Sequence, residues 1–270
     1  MTVRLARLAK RFAANRGFEI RRLPPEDVRD RCSLLGSLRT ARSVGFKPAT
    51  VLDIGAARGE WALQDASQWP NARYLLIDPL KENEAALTRA VQELGAAEYQ
   101  LAAVGRKMGT VPIHVHPDLD GSSLYEEREE IVNGTVRSVP MTTVDQSVRQ
   151  RGLLGPFLLK ADVQGAELAV IEGASETLAR TELIILEVCL FDFFCGASPQ
   201  FEDLVAAMGE RGFVAWDVFG MGYRPIDWAL AHADVAFVRR NGLFRRIQQY
   251  ATDAQRREQL SRLTPVTPAR

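Results

Sequence analysis

The sequence predicts an α/β fold with a mostly parallel β-sheet. Short runs of β-branched and other apolar residues alternate with helical patterns along the chain, and no internal repeat is present. The chain has 270 residues, enough for one large domain with its own core. We expect a helical extension at 1–45, one catalytic domain at 46–245, and a helical or flexible tail at 246–270.

The same patterns assign the individual elements in order. Predicted strands lie at 50–54, 74–77, 99–104, 111–115, 136–141, 157–161, 183–188, 213–218 and 235–238. Predicted helices begin near 59 and 81 and follow at 165–178 and 199–210. Gly220, Gly222 and Pro225 separate the last two strands, which indicates an antiparallel pair. The strands at 111–115 and 136–141 are expected to form a β-hairpin insert over the functional site.

Composition excludes several classes of protein. The 34 Lys and Arg residues balance 34 Asp and Glu residues, so no overall positive field favours nucleic acid as a partner. Cys32, Cys189 and Cys195 match neither a disulfide framework nor a zinc site. No segment approaches the roughly 18 apolar residues of an integral membrane helix. We therefore expect a cytoplasmic protein.

The N-terminal residues form an amphipathic pattern. Val3, Leu5, Leu8 and Phe12 recur at near-helical spacing opposite Arg and Lys side chains. These bases interrupt the apolar run, so it does not read as a secretory signal. The helix could dock on an acidic membrane surface, but we favour packing on the domain or on a second subunit in a homodimer.

A glycine-containing loop follows the first predicted strand. Residues 53–59 read Asp-Ile-Gly-Ala-Ala-Arg-Gly, and glycine lets the backbone turn sharply and approach a ligand closely. A dinucleotide site would carry Gly-x-Gly-x-x-Gly, whereas Ala57 stands between Gly55 and Gly59. The spacing favours S-adenosylmethionine over NAD, with Asp53, Gly55, Ala56 and Gly59 as cofactor-binding candidates. A turn required only for conformational reasons is the alternative.

A carboxylate ends the second predicted strand. Asp78 stands where a partner for the ribose of the cofactor is expected, since a carboxylate can accept hydrogen bonds from both hydroxyls. Helix capping before Lys81 is the alternative. In combination with the loop at 53–59, Asp78 favours S-adenosylmethionine as the cofactor.

A third sequence motif distinguishes among the families of proteins that bind S-adenosylmethionine. Residues 160–167 read Lys-Ala-Asp-Val-Gln-Gly-Ala-Glu, and Gly173-Ala174 follow. Together with the loop at 53–59, Leu-Glu-Val at 186–188 and Ala-Asp-Val-Ala-Phe-Val at 233–238, the block resembles FkbM-type S-adenosylmethionine-dependent methyltransferases over roughly 51–239. The resemblance implies the class I methyltransferase fold, a Rossmann-like, mostly parallel seven-stranded sheet with helices on both faces and an antiparallel last strand. It also implies methyl transfer, mostly to hydroxyls of sugars or polyketide-type natural products.

Two positions depart from the family pattern. Ala57 lacks the hydrogen-bonding side chain that is common at its position, and Gln164 stands where a second acidic residue is common. A glutamine can accept a hydrogen bond but supplies no charge, so the detail of the site is open at this position.

Methyl transfer from a sulfonium to a hydroxyl needs an acceptor held in line and a general base. The base is expected at the carboxyl end of the sheet, where Asp162 is the first candidate and also a cofactor-binding candidate. A structural partnership with Lys160 or with the amides of the following helix is its alternative. Glu187, at the end of the next strand, is the second candidate, although a carboxylate there could instead steady a loop.

Histidines and serines of the insert supply further candidates. His114 and His116 point to the same face of a strand, so His114 is a third catalytic candidate near the acceptor. No third ligand stands at a fixed sequence distance, and no metal site is predicted. Ser122 and Ser123 resemble a serine pair of the family, which implies that Ser123 contacts the cofactor or acceptor. Ordinary turn chemistry is the alternative.

Trp216 is the tryptophan most expected to form a stacking platform for a sugar, with core packing as its alternative.

Two other classes of function stay open. One is an NAD-binding oxidoreductase, against which the glycine spacing argues. The other is a cofactor-binding interaction protein without catalytic activity.

Overall fold

The computed structural model describes residues 31–196 and 198–261. The strands in this part of the chain are β1 (Thr50–Ile54), β2 (Arg73–Asp78), β3 (Ala97–Leu101), β4 (Ala103–Val104), β5 (Gly109–Val115), β6 (Thr135–Thr142), β7 (Phe157–Ala161), β8 (Thr181–Cys189), β9 (Phe213–Tyr223) and β10 (Leu230–Arg239). The α-helices are α1 (Leu34–Ser43), α2 (Glu60–Ala66), α3 (Glu84–Leu94), α4 (Val144–Gln150), α5 (Glu167–Glu172), α6 (Ser175–Leu178), α7 (Phe201–Glu210) and α8 (Asp253–Ser261).

Seven strands form the main sheet in the order β3-β2-β1-β7-β8-β10-β9. The first five of these pair in parallel, and β10 pairs antiparallel with both β8 and β9. The predicted seven-stranded, mostly parallel sheet with an antiparallel end is therefore confirmed. The strand order reverses between β1 and β7, and open α/β sheets bind ligands beyond the carboxyl ends of the strands at such a point.

The main sheet has an apolar cluster on each face. Successive side chains of a strand alternate between the faces, so Leu52 and Leu159 join one cluster while Val51 and Leu158 join the other. Helices α4 to α7 cover the first face, and α1 to α3 cover the second. All residues of β1 and β7 are buried, as expected for strands covered on both faces.

The predicted hairpin insert is confirmed. Strands β5 and β6 pair antiparallel, and β4 joins them in a three-stranded sheet of order β4-β6-β5. The single strand predicted at 99–104 is wrong, because its residues divide between β3 in the main sheet and β4 in the insert. The chain therefore leaves the main sheet between Leu101 and Ala103.

Two other predicted elements differ from the structure. The helix predicted at 165–178 is two short helices, and the Asp145 carboxylate accepts hydrogen bonds from the amides of Glu176 and Thr177 in the first turn of α6. The strand predicted at 213–218 continues to Tyr223, because the ladder with β10 extends through Gly222. The turn between β9 and β10 therefore lies at 224–229.

The amphipathic pattern at 3–12 lies outside the described residues. Of the predicted extension at 1–45, the structure describes α1. Cys32, Cys189 and Cys195 are free thiols. Among the residues that the structure describes, no helix has the length and apolar character required to cross a membrane.

Candidate active site

A cavity of about 310 Å³ opens at the carboxyl end of β1, β2 and β7. Its wall is formed by the loop after β1, by the end of β2, by the insert and by the loop after β7. The insert contributes Ile113, Leu119, Asp120, Ser122 and Leu124. The hairpin insert therefore lies beside the cavity, and the cavity lies where the strand order reverses.

The loop after β1 is held against β2 by backbone hydrogen bonds. The amides of Gly55 and Ala56 both donate to the Ile77 carbonyl, at 2.9 and 3.1 Å. Gly55 has a φ of +73°, and a Cβ there would lie 1.8 Å from the Asp162 carbonyl oxygen. Only glycine fits this crossing of the two loops, so the residue is required by both conformation and space.

Asp78 forms part of the cavity wall with a fixed orientation. Its Oδ1 accepts hydrogen bonds from the Leu80 amide and the Asn83 side chain, and its Oδ2 accepts one from the Ala57 amide at 2.9 Å. Burial raises the pKa of this carboxyl above its ordinary value, while the hydrogen bonds oppose the shift. Because a carboxylate oxygen has two lone pairs, Oδ2 retains the capacity to accept a further donor.

Lys160 lies beneath the loop and connects it to the loop after β7. Its buried ammonium donates to the Gly55 carbonyl at 2.8 Å and lies 3.4 Å from Asp53 Oδ1 and 3.6 Å from Asp162 Oδ2. Burial lowers the pKa of Lys160, but the two carboxylates raise it more, so the net shift is upward. Burial also raises the pKa of Asp53 to about 6, with Lys160 opposing the shift.

Gln164 lines the cavity and bonds to two carboxylates. Its side-chain nitrogen donates to Asp162 Oδ1 at 2.8 Å and to Glu187 Oε2 at 2.9 Å. The other Glu187 oxygen lies 2.9 Å from His232 Nδ1. Burial, followed by the charge of Asp162, raises the pKa of Glu187 above its ordinary value. The structure therefore brings Asp162 and Glu187 together in a network that also contains Gln164 and His232, but Asp162 lines the cavity and Glu187 does not.

The last residue of the block at 160–167 stabilises the loop after β7. Glu167 is buried, and its Oε1 accepts hydrogen bonds from the amides of Val163 and Gly165 at 3.0 and 3.3 Å. Burial raises the pKa of this carboxyl to about 8. The Lys-x-Asp-x-x-Gly-x-Glu spacing thus corresponds to one compact loop whose two ends are fixed by Lys160 and Glu167.

The two serines of the insert have different positions. Ser122 lines the cavity, whereas the Ser123 hydroxyl is buried and donates to the Gln164 carbonyl at 2.6 Å. Ser123 therefore contacts the loop after β7 rather than the cavity.

His114 does not join the other catalytic candidates. Its Nδ1 lies 3.0 Å from Asn133 Oδ1, and its ring lines a small separate pocket with His116 and Glu127. The shared strand face was expected correctly, but that face turns toward the interior of the insert. Within residues 31–196 and 198–261, no group of three His, Cys, Asp or Glu side chains is arranged to hold a metal ion.

Four of the predicted cofactor-binding residues line the cavity, namely Gly55, Ala56, Asp78 and Asp162. Asp53 is 0% exposed and does not line it, since it faces Lys160. Gly59 does not line it either, because a Cβ there would lie 2.7 Å from Ala90 Cβ in α3. These two residues therefore support the loop from the side that faces away from the cavity.

Some of the lining residues were missed by the sequence analysis. Trp61 in α2 lines the cavity, whereas Trp216 does not and packs against Phe244 at 5.0 Å between ring centroids. The position of Trp61 directly after the loop at 53–59 was a signal that could have identified it. Arg58 and Asp120, which form an ion pair of 2.6 Å across the cavity mouth, had no such signal.

The sheet order and the cavity at the β1 and β7 ends define a class I methyltransferase fold. Residues 53–215 match the family model of the methyltransferase FkbM domain. The chain belongs to this family, and the resemblance found in the sequence is confirmed.

Several known proteins are similar to the chain. Methyltransferase sdnD from Sordaria araneosa is 28% identical, over 60% of this chain and 73% of that protein. The structure of methyltransferase FkbM from Methylobacillus flagellatus KT aligns with a TM-score of 0.44 and 13% identity, over 69% of this chain and 43% of that one. The chain therefore spans less than half of the Methylobacillus protein. A putative O-methyltransferase from Klebsiella pneumoniae aligns with a TM-score of 0.45 and 12% identity, over 85% and 87% of the two chains.

Proposed function

We propose that this protein is an S-adenosylmethionine-dependent O-methyltransferase that acts on a hydroxyl of a sugar, glycan, glycolipid or polyketide-type natural product. The observation that carries the proposal is the cavity lined by Asp78 at the end of β2 and by Asp162 after β7, with Gly55 of the intervening β1 loop between them. The cavity has room for a nucleoside, and carboxylates lie at its edge. Membership in the FkbM family supports methyl transfer as the reaction.

The residues around the cavity fit S-adenosylmethionine. Pockets that hold small ligands start at about 300 Å³ and combine apolar walls with a few fixed polar groups. Here the volume is about 310 Å³, and Trp61, Leu80 and Ile113 supply apolar wall. Asp78 would accept from the ribose hydroxyls, while the crossing at Gly55 would hold the methionine portion near Asp162.

The cofactor would supply an electrophilic methyl group, and the protein would place the acceptor in line with it. Such positioning accounts for much of the rate in displacement reactions. A hydroxyl also needs a group that takes its proton as the new bond forms. Asp162 lines the cavity and is joined to Glu187 through Gln164, and these carboxylates would supply acid–base groups on the acceptor side.

The rival functions have less support. An NAD-binding oxidoreductase would place pyrophosphate at the start of α2, but Gly59 faces α3 through Ala90 rather than the cavity. An interaction protein without catalysis has no need for several titratable side chains at one edge of a cavity. Residence in the cytoplasm and a homodimer contact through the N-terminal helix stay predictions.

Two measurements test the proposal. Calorimetric titration should show binding of S-adenosylhomocysteine and none of NAD. Incubation with S-adenosylmethionine carrying a deuterated methyl group and a panel of hydroxylated glycans, glycolipids and polyketides should give one product with the mass of a labelled methyl ether. Asp162→Asn should lower that product at least 100-fold while S-adenosylhomocysteine affinity changes less than 10-fold. Binding of NAD without response to S-adenosylhomocysteine would overturn the assignment.

A further inference from the structure

His232 lies on β10 at the same edge of the main sheet as the carboxylates. Its Nδ1 is 2.9 Å from Glu187 Oε1 on β8. In the antiparallel ladder, Asp234 pairs with Glu187, and residues two apart on a strand share a face. His232 therefore shares a face of the sheet with Glu187, just outside the residues that line the cavity, and no sequence pattern pointed to it.

The carboxylates beside the cavity are already engaged. Glu187 accepts from His232 at Oε1 and from Gln164 at Oε2. Asp162 accepts from Gln164 at Oδ1, and its Oδ2 lies 3.6 Å from Lys160 Nζ. A hydroxyl that approached either carboxylate would therefore share its oxygens with partners that are already bound.

The other nitrogen of His232 is available. Among the described residues, none forms a hydrogen bond with His232 Nε2, and 41% of the side chain is exposed. Donation from Nδ1 to Glu187 fixes the tautomer whose lone pair is on Nε2. A carboxylate that orients an imidazole in this way is the arrangement by which histidine acts as a general base in hydrolytic triads.

The neighbouring strand leaves space for the imidazole. His232 pairs with Gly222 of β9, where a Cβ would lie 2.0 Å from Nε2 and 2.6 Å from Cδ2. Any larger residue at position 222 would overlap the ring. The glycine therefore serves the placement of His232, which is a feature independent of the contact with Glu187.

We propose that His232, oriented by Glu187, accepts the proton of the acceptor hydroxyl, an inference that rests on the function proposed above. The acceptor oxygen forms a bond to the methyl carbon as its proton passes to Nε2. The carbon–sulfur bond breaks and its electron pair stays on sulfur. The products are the methyl ether, S-adenosylhomocysteine and an imidazolium paired with Glu187, which then returns its proton to water.

The charges around the imidazole set the direction of its pH dependence. It is faced by Glu187 and Cys189 from β8, by Asp162 after β7, and by Asp234 on its own strand. The hydrogen bond to Glu187, opposed by burial, raises the pKa of His232 above its ordinary value. The protonated ring cannot act as a base, so methyl transfer should increase as the pH rises through this pKa.

An experiment without the acceptor tests the position of His232. The chain has three histidines, so the ring nitrogens of His114, His116 and His232 can each be titrated by NMR in ¹⁵N-labelled protein. S-adenosylmethionine carries a positive charge that S-adenosylhomocysteine lacks. A charge several ångströms away should lower the pKa of His232 by about 0.5 unit or more in the S-adenosylmethionine complex. His114 and His116, which lie in the insert, should shift much less.

Two variants sharpen the result. Glu187→Gln should lower the pKa of His232 and weaken the preference for the Nδ1–H tautomer, while Gly222→Ala should disturb the same signals by displacing the ring. His232→Gln should bind S-adenosylhomocysteine within about twofold of the wild type, which shows that it is folded. Equal titration of His232 in the two complexes would overturn the inference and leave the proposed function intact. Failure of both ligands to bind would overturn the proposed function and this inference together.

Discussion

The two sides of the cavity are built in different ways. On the side formed by the loop after β1, the contacts are backbone amides that donate to the Ile77 carbonyl and to Asp78, both on the adjacent strand β2. On the side formed by the loop after β7, which is the proposed acceptor side, side chains bond to one another across β7, β8 and β10, as in the bonds from Gln164 and His232 to Glu187. The shape of the first side therefore depends on local backbone geometry, whereas that of the second depends on contacts between residues that are distant in sequence.

Burial raises carboxyl pKa values on both sides of the cavity. Asp78 receives three hydrogen bonds that counter its burial. On the acceptor side, burial raises the pKa of Asp234 to about 7 and that of Glu167 to about 8. Small changes of pH near neutrality therefore alter the charge around the cavity, including at Asp53, whose pKa burial raises to about 6.

Lys160 is the residue that joins the two sides, so its replacement should have the largest effect on stability. Lys160→Met removes the ammonium that bonds the Gly55 carbonyl and pairs with Asp53 and Asp162. Asp53 would lose the ammonium that lowers its pKa and would have to take up a proton or stay buried as an unpaired charge, and breaking such a pair costs about 3–5 kcal/mol. Urea denaturation at pH 7 measures the loss.

The double variant Asp53→Asn/Lys160→Met provides the control, because it removes both charges. It should recover a substantial part of the lost free energy of unfolding. A loss below about 1 kcal/mol for the single variant would show that Lys160 does not hold the two sides together.

Gly55→Ala tests the backbone-built side and should have the second largest effect. The new Cβ would lie 1.8 Å from the Asp162 carbonyl oxygen, so one of the two loops must move. We expect a loss of about 2–4 kcal/mol in unfolding free energy and at least a 100-fold loss of S-adenosylhomocysteine affinity. Gly45→Ala is the matched control, since Gly45 also has a positive φ, of +92°, but nothing lies within 4 Å of a Cβ there.

The difference between the two alanine variants separates contact from backbone strain. Gly45→Ala should cost about 1 kcal/mol and leave ligand affinity unchanged. Similar losses in both variants would mean that the crossing of the loops at Gly55 has no special importance.

The same comparison explains what the sequence could predict. Gly55 and Asp78 were found because a turn after a buried strand and a carboxylate after the next strand are local patterns. The pairing of Gln164 with Glu187 could not be found, since it depends on the register of β7 and β8. His232 was missed because its partner lies on another strand and its space comes from Gly222 on a third.

The position of His114 was also beyond sequence reasoning. Alternation along β5 indicates correctly that His114 and His116 share a face, but it does not indicate which way that face turns. The short strand β4 pairs with β6, and this pairing ties the insert to the edge of the cavity. As a result, Ile113 faces the cavity and the histidines face the insert.

Glu167→Gln tests the acceptor side and should have the smallest effect, which depends on pH. Burial raises the pKa of Glu167 from 4.5 to about 8, so the folded protein holds a proton that the unfolded chain releases. The contribution of Glu167 to the free energy of unfolding is therefore fully present below pH 4.5, and it decreases as the pH rises toward about 8. Glutamine keeps an oxygen that can accept from the Val163 and Gly165 amides and has no proton to lose.

The free energies of unfolding of Glu167→Gln and the wild type should therefore diverge between pH 5 and pH 9, by on the order of 2 kcal/mol in favour of the variant. Urea denaturation at several pH values measures the divergence. Glu93→Gln, at an exposed position in α3, is the matched control and should leave the difference from wild type independent of pH. A Glu167→Gln curve parallel to that of the wild type would mean that Glu167 stays ionised in the fold, with its charge stabilised by the loop amides alone.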